Sequence, residues 1–458
     1  MRRLIHHIFA FTVCLGAVMP ATGSILGIKD ENKSSIGIYI YDLTGDSILV
    51  NDSAEQVMTP ASVTKTFTTA SAMTLLGKDF RFSTTVSLDG QAPNKGVANA
   101  NLVVTSAGDP TLESDNFSQN LGFCDSIISN LRRLNIKEIN GKIIVRQNMA
   151  DSGQPEEWMI EDVAWAYGAG IYGLNWRDNI FSLKTASGET TPHIPDLIIK
   201  KHKTRRSNQK RGFDSNVLNL YGPRLNRSRT TVVSTMPSPH KVFEYELAKT
   251  LRDSGFILND RQIAKGKVMT PVYTHRSPAL YDILKSLMVR SDNMFAEGIL
   301  RAFAPDSSRY VCIDMEKQLW KDRGLDTESI NIYDGSGLGR ANGLSAMFIG
   351  KMLQWMAASE YAADYIDMFP IAGETGTMRN FMKGTRLQGR LVMKTGSMGG
   401  VQTYAGYLLD DNKKPTHVVV IFTNRFFCSR GQLKESIYNF LSDTFITPSE
   451  TNPTESIN

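Results

Sequence analysis

The pattern of apolar and polar positions divides this chain into helix-like ends and a strand-like middle. Ile36 to Asp42 and Ser47 to Asn51 have the composition of short strands, and the turn residues Thr44-Gly45-Asp46 between them predict a hairpin. A helix is predicted from Ser62 to Leu76, starting near Pro60. Phe67, Ala70, Met73 and Leu76 fall on related faces, and Gly77 serves as its cap. From about Arg81 to Val268 the texture changes to short strand-like pieces separated by Gly, Pro, Asn and Asp. Helix returns over Ser277 to Ala304 and over Leu344 to Ala358. Strands follow at Leu391 to Ser397, Gln402 to Leu409 and His417 to Thr423, and an amphipathic helix at Gln432 to Phe445. One α/β domain interrupted by inserted β-rich modules accounts for this order.

The ends add a destination. Met1-Arg2-Arg3, the apolar stretch Leu4 to Met19 and the small-x-small site Ala21-Thr22-Gly23 read as a secretory signal peptide that would free Ser24. No later run reaches the ~20 apolar residues of a membrane span, and Thr447 to Asn458 is a polar tail. A periplasmic or extracellular protein with no membrane span after cleavage is expected. Loss of Arg2 and Arg3 takes the formal charge from +5 to +3, which names no partner by itself. Cys124, Cys312 and Cys428 are widely spaced and odd in number, so they form neither a disulfide scaffold nor a metal site. Lys200 to Arg211 is strongly basic without interleaved aromatic residues. It reads as a solvated loop, with contact to an anionic cell-wall polymer as the alternative, and the export signal argues against nucleic acid as its partner.

The rarest chemical signal is Lys394-Thr395-Gly396, the only such triplet in the chain. It belongs with a Ser-x-x-Lys and a Ser-x-Asn in serine acyl-transfer enzymes. Ser-x-x-Lys occurs at Ser62, Ser207 and Ser238, but only Ser62 opens an apolar helix, where Lys65 projects on the same side one turn later. Ser-x-Asn is commoner, and Ser114-Asp115-Asn116 repeats the full triplet of Ser291-Asp292-Asn293. Ser291 is favoured because it joins two apolar helical stretches, whereas Ser114 lies in a turn-like segment. Gly168 to Gly173 matches a dinucleotide fingerprint without its strand and helix, and Gly335 to Gly339 lacks the ending of a phosphate loop. No metal or other cofactor is expected.

With Ser62, Ser291 and Lys394 in this order, the chain resembles the class C low-molecular-mass penicillin-binding proteins, the D-alanyl-D-alanine carboxypeptidase/endopeptidase family. Pro60-Ala61-Ser62, Gly108 to Leu112, Trp158 to Asn179, Asp334 to Leu338, Pro370 to Gly373 and Ala405-Gly406-Tyr407 extend the resemblance. Glu374 to Thr377 departs from it, and 184–233 is hard to align. The resemblance implies a penicillin-recognising, β-lactamase-like α/β domain with an antiparallel sheet flanked by helices. It divides the chain into a signal peptide 1–23, a catalytic domain 24–80 and 268–446, an inserted domain 81–183 and 236–267, a second β-rich insertion 184–235, and the tail 447–458.

For function, the resemblance implies a serine DD-peptidase acting on D-Ala-D-Ala termini and D-Ala-diaminopimelate cross-links of peptidoglycan stem peptides, with β-lactams as inhibitors. Ser62 is the expected nucleophile and Lys65 its base, kept neutral by the nearby charge of Lys394. Ser291 would relay the proton to the leaving amine, Asn293 would hold the peptide, and Lys394 would organise the hydroxyls. Thr395, Gly396 and Ser397 line the carboxylate end, and the N–H groups of Ser62 and Ser397 form the oxyanion site. Asp162, Tyr167 and Arg340, with Met398 between them, match the family's pocket for a free diaminopimelate end. A β-lactamase and a wall-binding sensor that acylates without turnover share the same motifs.

Overall fold

The structure is a computed structural model that describes residues 24–227, 230–263 and 269–446. The predicted signal peptide, the polar tail and the expected domain boundary at Val268 lie outside the described residues. Among these residues no helix is long and apolar enough to cross a membrane.

The chain forms two compact units, one of residues 35–425 and one from the described parts of its two ends. In the end unit the Glu31 carboxylate accepts from the N–H groups of Ile25, Leu26 and Ile28 and closes a turn. The helix Arg430–Phe445 opens with a reciprocal cap in which the Ser429 and Gln432 side chains accept from each other's N–H.

The larger unit is organised on a five-stranded antiparallel sheet in the order Leu391–Met398, Val401–Leu409, Pro415–Asn424, Ser35–Asp42, Ser47–Asp52. The first hairpin of the chain therefore completes a sheet whose other strands come from its last segment. Val401–Leu409 is buried at every position. The helix Ala346–Ala358 packs on this sheet, and Gly350 lets it close on Tyr39, whose ring leaves no room for a Cβ. Beneath lie the helices Thr64–Leu75, Leu280–Arg290, Asn293–Arg301 and Arg309–Lys321. This is an antiparallel sheet flanked by helices, as the resemblance implied.

A second core gathers residues from 86 to 272. Ser83–Gly90 pairs with Met269–Arg276 and with Ala100–Ser106, which runs parallel to Ile143–Gln147. Smaller sheets join Thr231–Thr235, Ile180–Lys184 and Thr190–Thr191, and join Ile198–Lys203, Val217–Gly222 and Asn208–Lys210. The β-rich middle also holds two helices that went unpredicted, Phe123–Arg133 and Pro239–Asp253. Their polar faces masked the period, but Phe123, Ile127, Ile128 and Leu131 bury one stripe, as do Val242, Phe243, Leu247 and Leu251. The helices Arg309–Lys321 and Ala362–Asp367 also went unpredicted. The basic segment is no loop. It supplies two strands, and Arg211 at its end is buried, donating to the carbonyls of Gly212 and Ser215 and to Thr235 Oγ1.

Candidate active site

Ser62 sits in a single 3-10 turn, Ala61–Val63, that feeds the helix Thr64–Leu75. That helix is buried around its whole circumference from Thr64 to Met73, which is unusual for a sequence rich in threonine. Most of its hydroxyls are satisfied locally or across the core: Thr64 donates to Ala61 O, Thr66 to Val63 O, Ser71 to Phe67 O, and Thr68 to Gly335 O at 2.8 Å, while Thr69 Oγ1 is buried without a partner. The serine turn is clamped from both sides. Thr403 Oγ1 donates to Pro60 O at 2.7 Å. A Cβ on Gly396 would strike Thr403 Oγ1 and Pro60 O and stand 3.0 Å from Ser62 N, so the Lys-Thr-Gly strand needs glycine to lie against the serine. Gly337, with φ +77°, approaches Ala61 O from the other side just as closely.

Lys65 projects beside the serine, with Nζ 3.1 Å from Ser62 Oγ, 2.6 Å from Asn293 Oδ1 and 2.6 Å from Ser336 O. Asn293 is fixed at its other end, where Nδ2 donates to Tyr167 O at 2.8 Å. Ser291 ends the helix Leu280–Arg290 in a left-handed conformation, φ +62°, and Asp292 caps the next helix by accepting from Phe295 N at 3.0 Å. Lys394 Nζ reaches Ser291 Oγ at 2.8 Å and Thr395 O at 2.7 Å.

These groups open into a cleft of about 390 Å³ lined by Ser62, Ser291, Asn293, Asp162, Tyr167, Arg340, Ser397 and Met398. Tyr167 OH donates to Asp162 Oδ1 at 2.8 Å, and Arg340 Nε lies 2.9 Å from Met159 Sδ. Thr395 and Gly396 are not part of the lining; they stand on the strand between Lys394 and Ser397. Every other residue singled out from the sequence converges here, with Lys65 and Lys394 fully buried just beneath.

Two buried carboxylates went unassigned in the sequence. Asp334 accepts from Gly337 N, Gly339 N, Asn342 Nδ2 and Trp158 Nε1 at 2.6 to 2.9 Å, and Glu297 accepts from Gly335 N and Ser336 N. They fold 334–339 into a tight turn. Its peptide between Ser336 and Gly337 has Asp334 on its N–H and Lys65 on its carbonyl. One planar unit thus links carboxylate to amine. The Asp-Gly-Ser-Gly run with Asn342 was the available sequence signal.

Burial lowers the Lys65 pKa to about 8, against the opposing charges of Asp334, Glu297 and Asp292. Burial first, and then the charge of Lys65, drives Lys394 well below the ordinary lysine range. This corrects the expected source of base activation. Carboxylates around Lys65 favour its charged form, so repulsion between the two amines is relieved at Lys394, and it is burial that lowers Lys65. Burial and the Asp334 charge push Glu297 up to about 7, and burial raises Asp334 despite its four N–H donors.

Residues 26–436 match the family described as D-Ala-D-Ala carboxypeptidase 3 (S13). The chain is 25% identical over 412 residues to a D-alanyl-D-alanine carboxypeptidase of Actinomadura sp. (strain R39), covering 81% of this chain and 74% of that one. It is 25% identical over 408 residues to the D-alanyl-D-alanine carboxypeptidase DacB of Haemophilus influenzae, covering 83% of each. In fold it is similar to the crystal structure of penicillin binding protein 4 from Haemophilus influenzae, with a TM-score of 0.75, 22% identity, and 89% of this chain and 96% of that chain covered. The family match spans nearly all of the described residues and contains every residue of the cleft, so the chain belongs to the D-Ala-D-Ala carboxypeptidase 3 (S13) family.

Proposed function

We propose that this protein is an exported serine DD-peptidase that removes the terminal D-Ala of peptidoglycan stem peptides and opens their D-Ala-diaminopimelate cross-links. The observation that carries this reading is the hydrogen bonding of Lys65. A neutral amine has two N–H bonds and one lone pair. Asn293 Oδ1 and Ser336 O take the two hydrogens, which leaves the lone pair for the hydroxyl proton of Ser62.

Ser62 Oγ then bonds to the D-Ala carbonyl carbon while its proton passes to Lys65 Nζ. The oxyanion forms toward the N–H groups of Ser62 and Ser397, donors typically worth ~3–4 kcal/mol each. As the C–N bond breaks, the proton held by Lys65 is relayed through Ser291 Oγ, which takes one up as it gives one to the leaving amine. Lys394 Nζ holds that hydroxyl in place and Asn293 holds the peptide, so Lys65 is neutral again for the next step. Water hydrolyses the ester by the same route in reverse. A β-lactam enters as far as the acyl-enzyme and stalls. The Haemophilus influenzae penicillin binding protein 4 is known complexed with a β-lactam, which supports this inhibitor class.

At the other end of the cleft, Asp162 and Arg340 suit the ammonium and carboxylate of a free diaminopimelate end, with Met398 against its aliphatic stem and Tyr167 holding Asp162. On the same reading residues 1–23 direct export, and the chain is one catalytic domain interrupted by two insertions. The pairing of Ser83–Gly90 with Met269–Arg276 favours a return to the catalytic domain near Ser277.

Fluorescent penicillin should label the wild type at Ser62 and leave Ser62→Ala unlabelled. Labelling that survives this change, or that maps to Ser207 or Ser238, would sink the nucleophile. Asp162→Ala should lose kcat/KM on free-amine peptides by about 10²-fold or more while β-lactam acylation changes little. Equal rates on free-amine and N-acetylated peptides would remove the pocket.

A further inference from the structure

Charge is distributed very unevenly along this chain. Residues 198–227 carry nine Lys and Arg against one acid, Asp214, in a chain whose formal charge is only +5, so the remainder is net acidic. These residues build the sheet of Ile198–Lys203, Val217–Gly222 and Asn208–Lys210, with Val217–Gly222 in the centre. Register separates its two faces. Leu218 and Leu220 of the central strand are buried with Gln209 in the core, so their partners Ile199 and Lys201 share the inner face. On the outer face Lys200, Asn219 and Lys210 form one cross-strand row, and His202, Tyr221 and Asn208 form the next. His202 stacks on Tyr221 at 4.7 Å and its Nε2 lies 3.0 Å from Asn219 Oδ1.

A central strand is normally covered on both sides or faces water with short polar residues. Here Val217, Asn219 and Tyr221 are only half-buried, Lys200 and Lys210 are exposed on the same face, and Arg205 and Arg206 are exposed in the turn 204–207 that joins its strands. Among the described residues none of these four cations makes an ion pair. A flat face with amides and a hydroxyl between unpaired cations suits a hydroxyl-rich polymer carrying carboxylates. The inner face is tied to the substrate cleft. Gln209, between the outward Asn208 and Lys210, donates to Ala164 O at 2.8 Å, two residues from Asp162. Ser234 and Thr235, on the neighbouring sheet, hold Ala164 O and Val163 O in the same way.

We propose that this outer face docks the glycan strands of peptidoglycan through the carboxylates of their stem peptides, holding the polymer beside the cleft wall that Gln209 braces. This rests on the function proposed above.

The test compares wild type, Lys200→Glu/Lys210→Glu and Lys200→Arg/Lys210→Arg for co-sedimentation with purified sacculi at low and high salt. In parallel it follows hydrolysis of sacculi and of a small soluble D-Ala-D-Ala peptide. Wild-type retention should fall steeply with salt. The Glu variant should lose retention and sacculus hydrolysis by tenfold or more while kcat/KM on the small peptide stays within twofold, and the Arg variant should behave as wild type. Retention insensitive to salt, an undiminished Glu variant, or tighter binding to anionic lipid vesicles or duplex DNA than to sacculi would overturn the proposal. Failure of the wild type to cleave the small peptide would instead count against the peptidase function, since retention is read without turnover.

Discussion

The chain contains the triplet Ser-Asp-Asn twice, and the two copies lie close enough that the rings three residues past Ser114 and past Asp292 stack, Phe117 on Phe295 at 5.9 Å. Their fates differ completely. In the first copy Ser114 is buried, its Oγ accepts from Asn116 N, and its carbonyl accepts from Phe117 N, so the serine spends its bonding capacity closing a turn. In the second, the left-handed Ser291 ends one helix, Asp292 caps the next, and Ser291 and Asn293 each meet a buried lysine. Residue type alone does not decide what a side chain meets. The helix junction brings Ser291 and Asn293 to the cleft, where each contacts a buried amine.

The largest effect that separates the copies should come from the lysine itself. Lys65→Arg keeps a donor toward Asn293 but cannot lose its proton, so acylation by a fluorescent penicillin should slow by about 10⁴-fold in a protein that unfolds at an unchanged temperature. A rate within tenfold of wild type would show that another base serves Ser62. Next, Ser291→Ala should cost about 10²–10³-fold in kcat on a D-Ala-D-Ala peptide, whereas Ser114→Ala should leave kcat alone and lower stability by ~1 kcal/mol in denaturant unfolding. Similar kinetic losses in both would erase the distinction. Asn293→Ala against Asn116→Ala gives the same contrast at roughly 10²-fold against no more than twofold, read in kcat/KM.

The smallest effect is one of pH. Lys65 acts only when neutral, so kcat/KM should rise with pH through about 8 and level off above it. The Asp334 carboxylate holds the ammonium form of Lys65 in place, so Asp334→Asn should move that limb to lower pH by roughly one unit, even where loosening of the turn reduces the plateau. A lower plateau with an unmoved limb would make Asp334 a scaffold alone.

Much of this was legible before any coordinates. The strands Ser35–Asp42 and Pro415–Asn424 of the main sheet carry apolar runs bounded by turns. The helix junction at Ser291 showed as two apolar stretches split by a polar triplet, and the apolar helix that Ser62 opens chose one Ser-x-x-Lys out of three. The helices at Phe123 and Pro239 were hidden because their exposed faces carry the Asn, Ser, Lys and Arg that elsewhere mark loops. The basic segment looked like a loop for a related reason, since strands with one open face need few apolar residues. Asp334 was invisible as a buried group because a carboxylate in a glycine-rich stretch ordinarily belongs to a surface turn, and Glu297 because a glutamate within a helix ordinarily faces water, whereas every residue of Asn293–Arg301 is buried. The motif put Lys65 beside Ser62, where the structure has it, but the cause of its lowered pKa was not legible, since desolvation depends on everything packed around Lys65 and leaves no mark in the motif.

Ser62 and Lys65 are neighbours on one helical turn from the moment that helix forms, yet the acceptors that orient the amine lie 228 and 271 residues further on, at Asn293 and Ser336. Lys394 comes 103 residues after Ser291. On the proposed mechanism, a chain in which these later segments are not yet in place holds Ser62 beside a hydrated, protonated lysine that cannot take its proton. Base activation would then wait for the turn at Ser336 and the strand of Lys394, as a propeptide would make it wait.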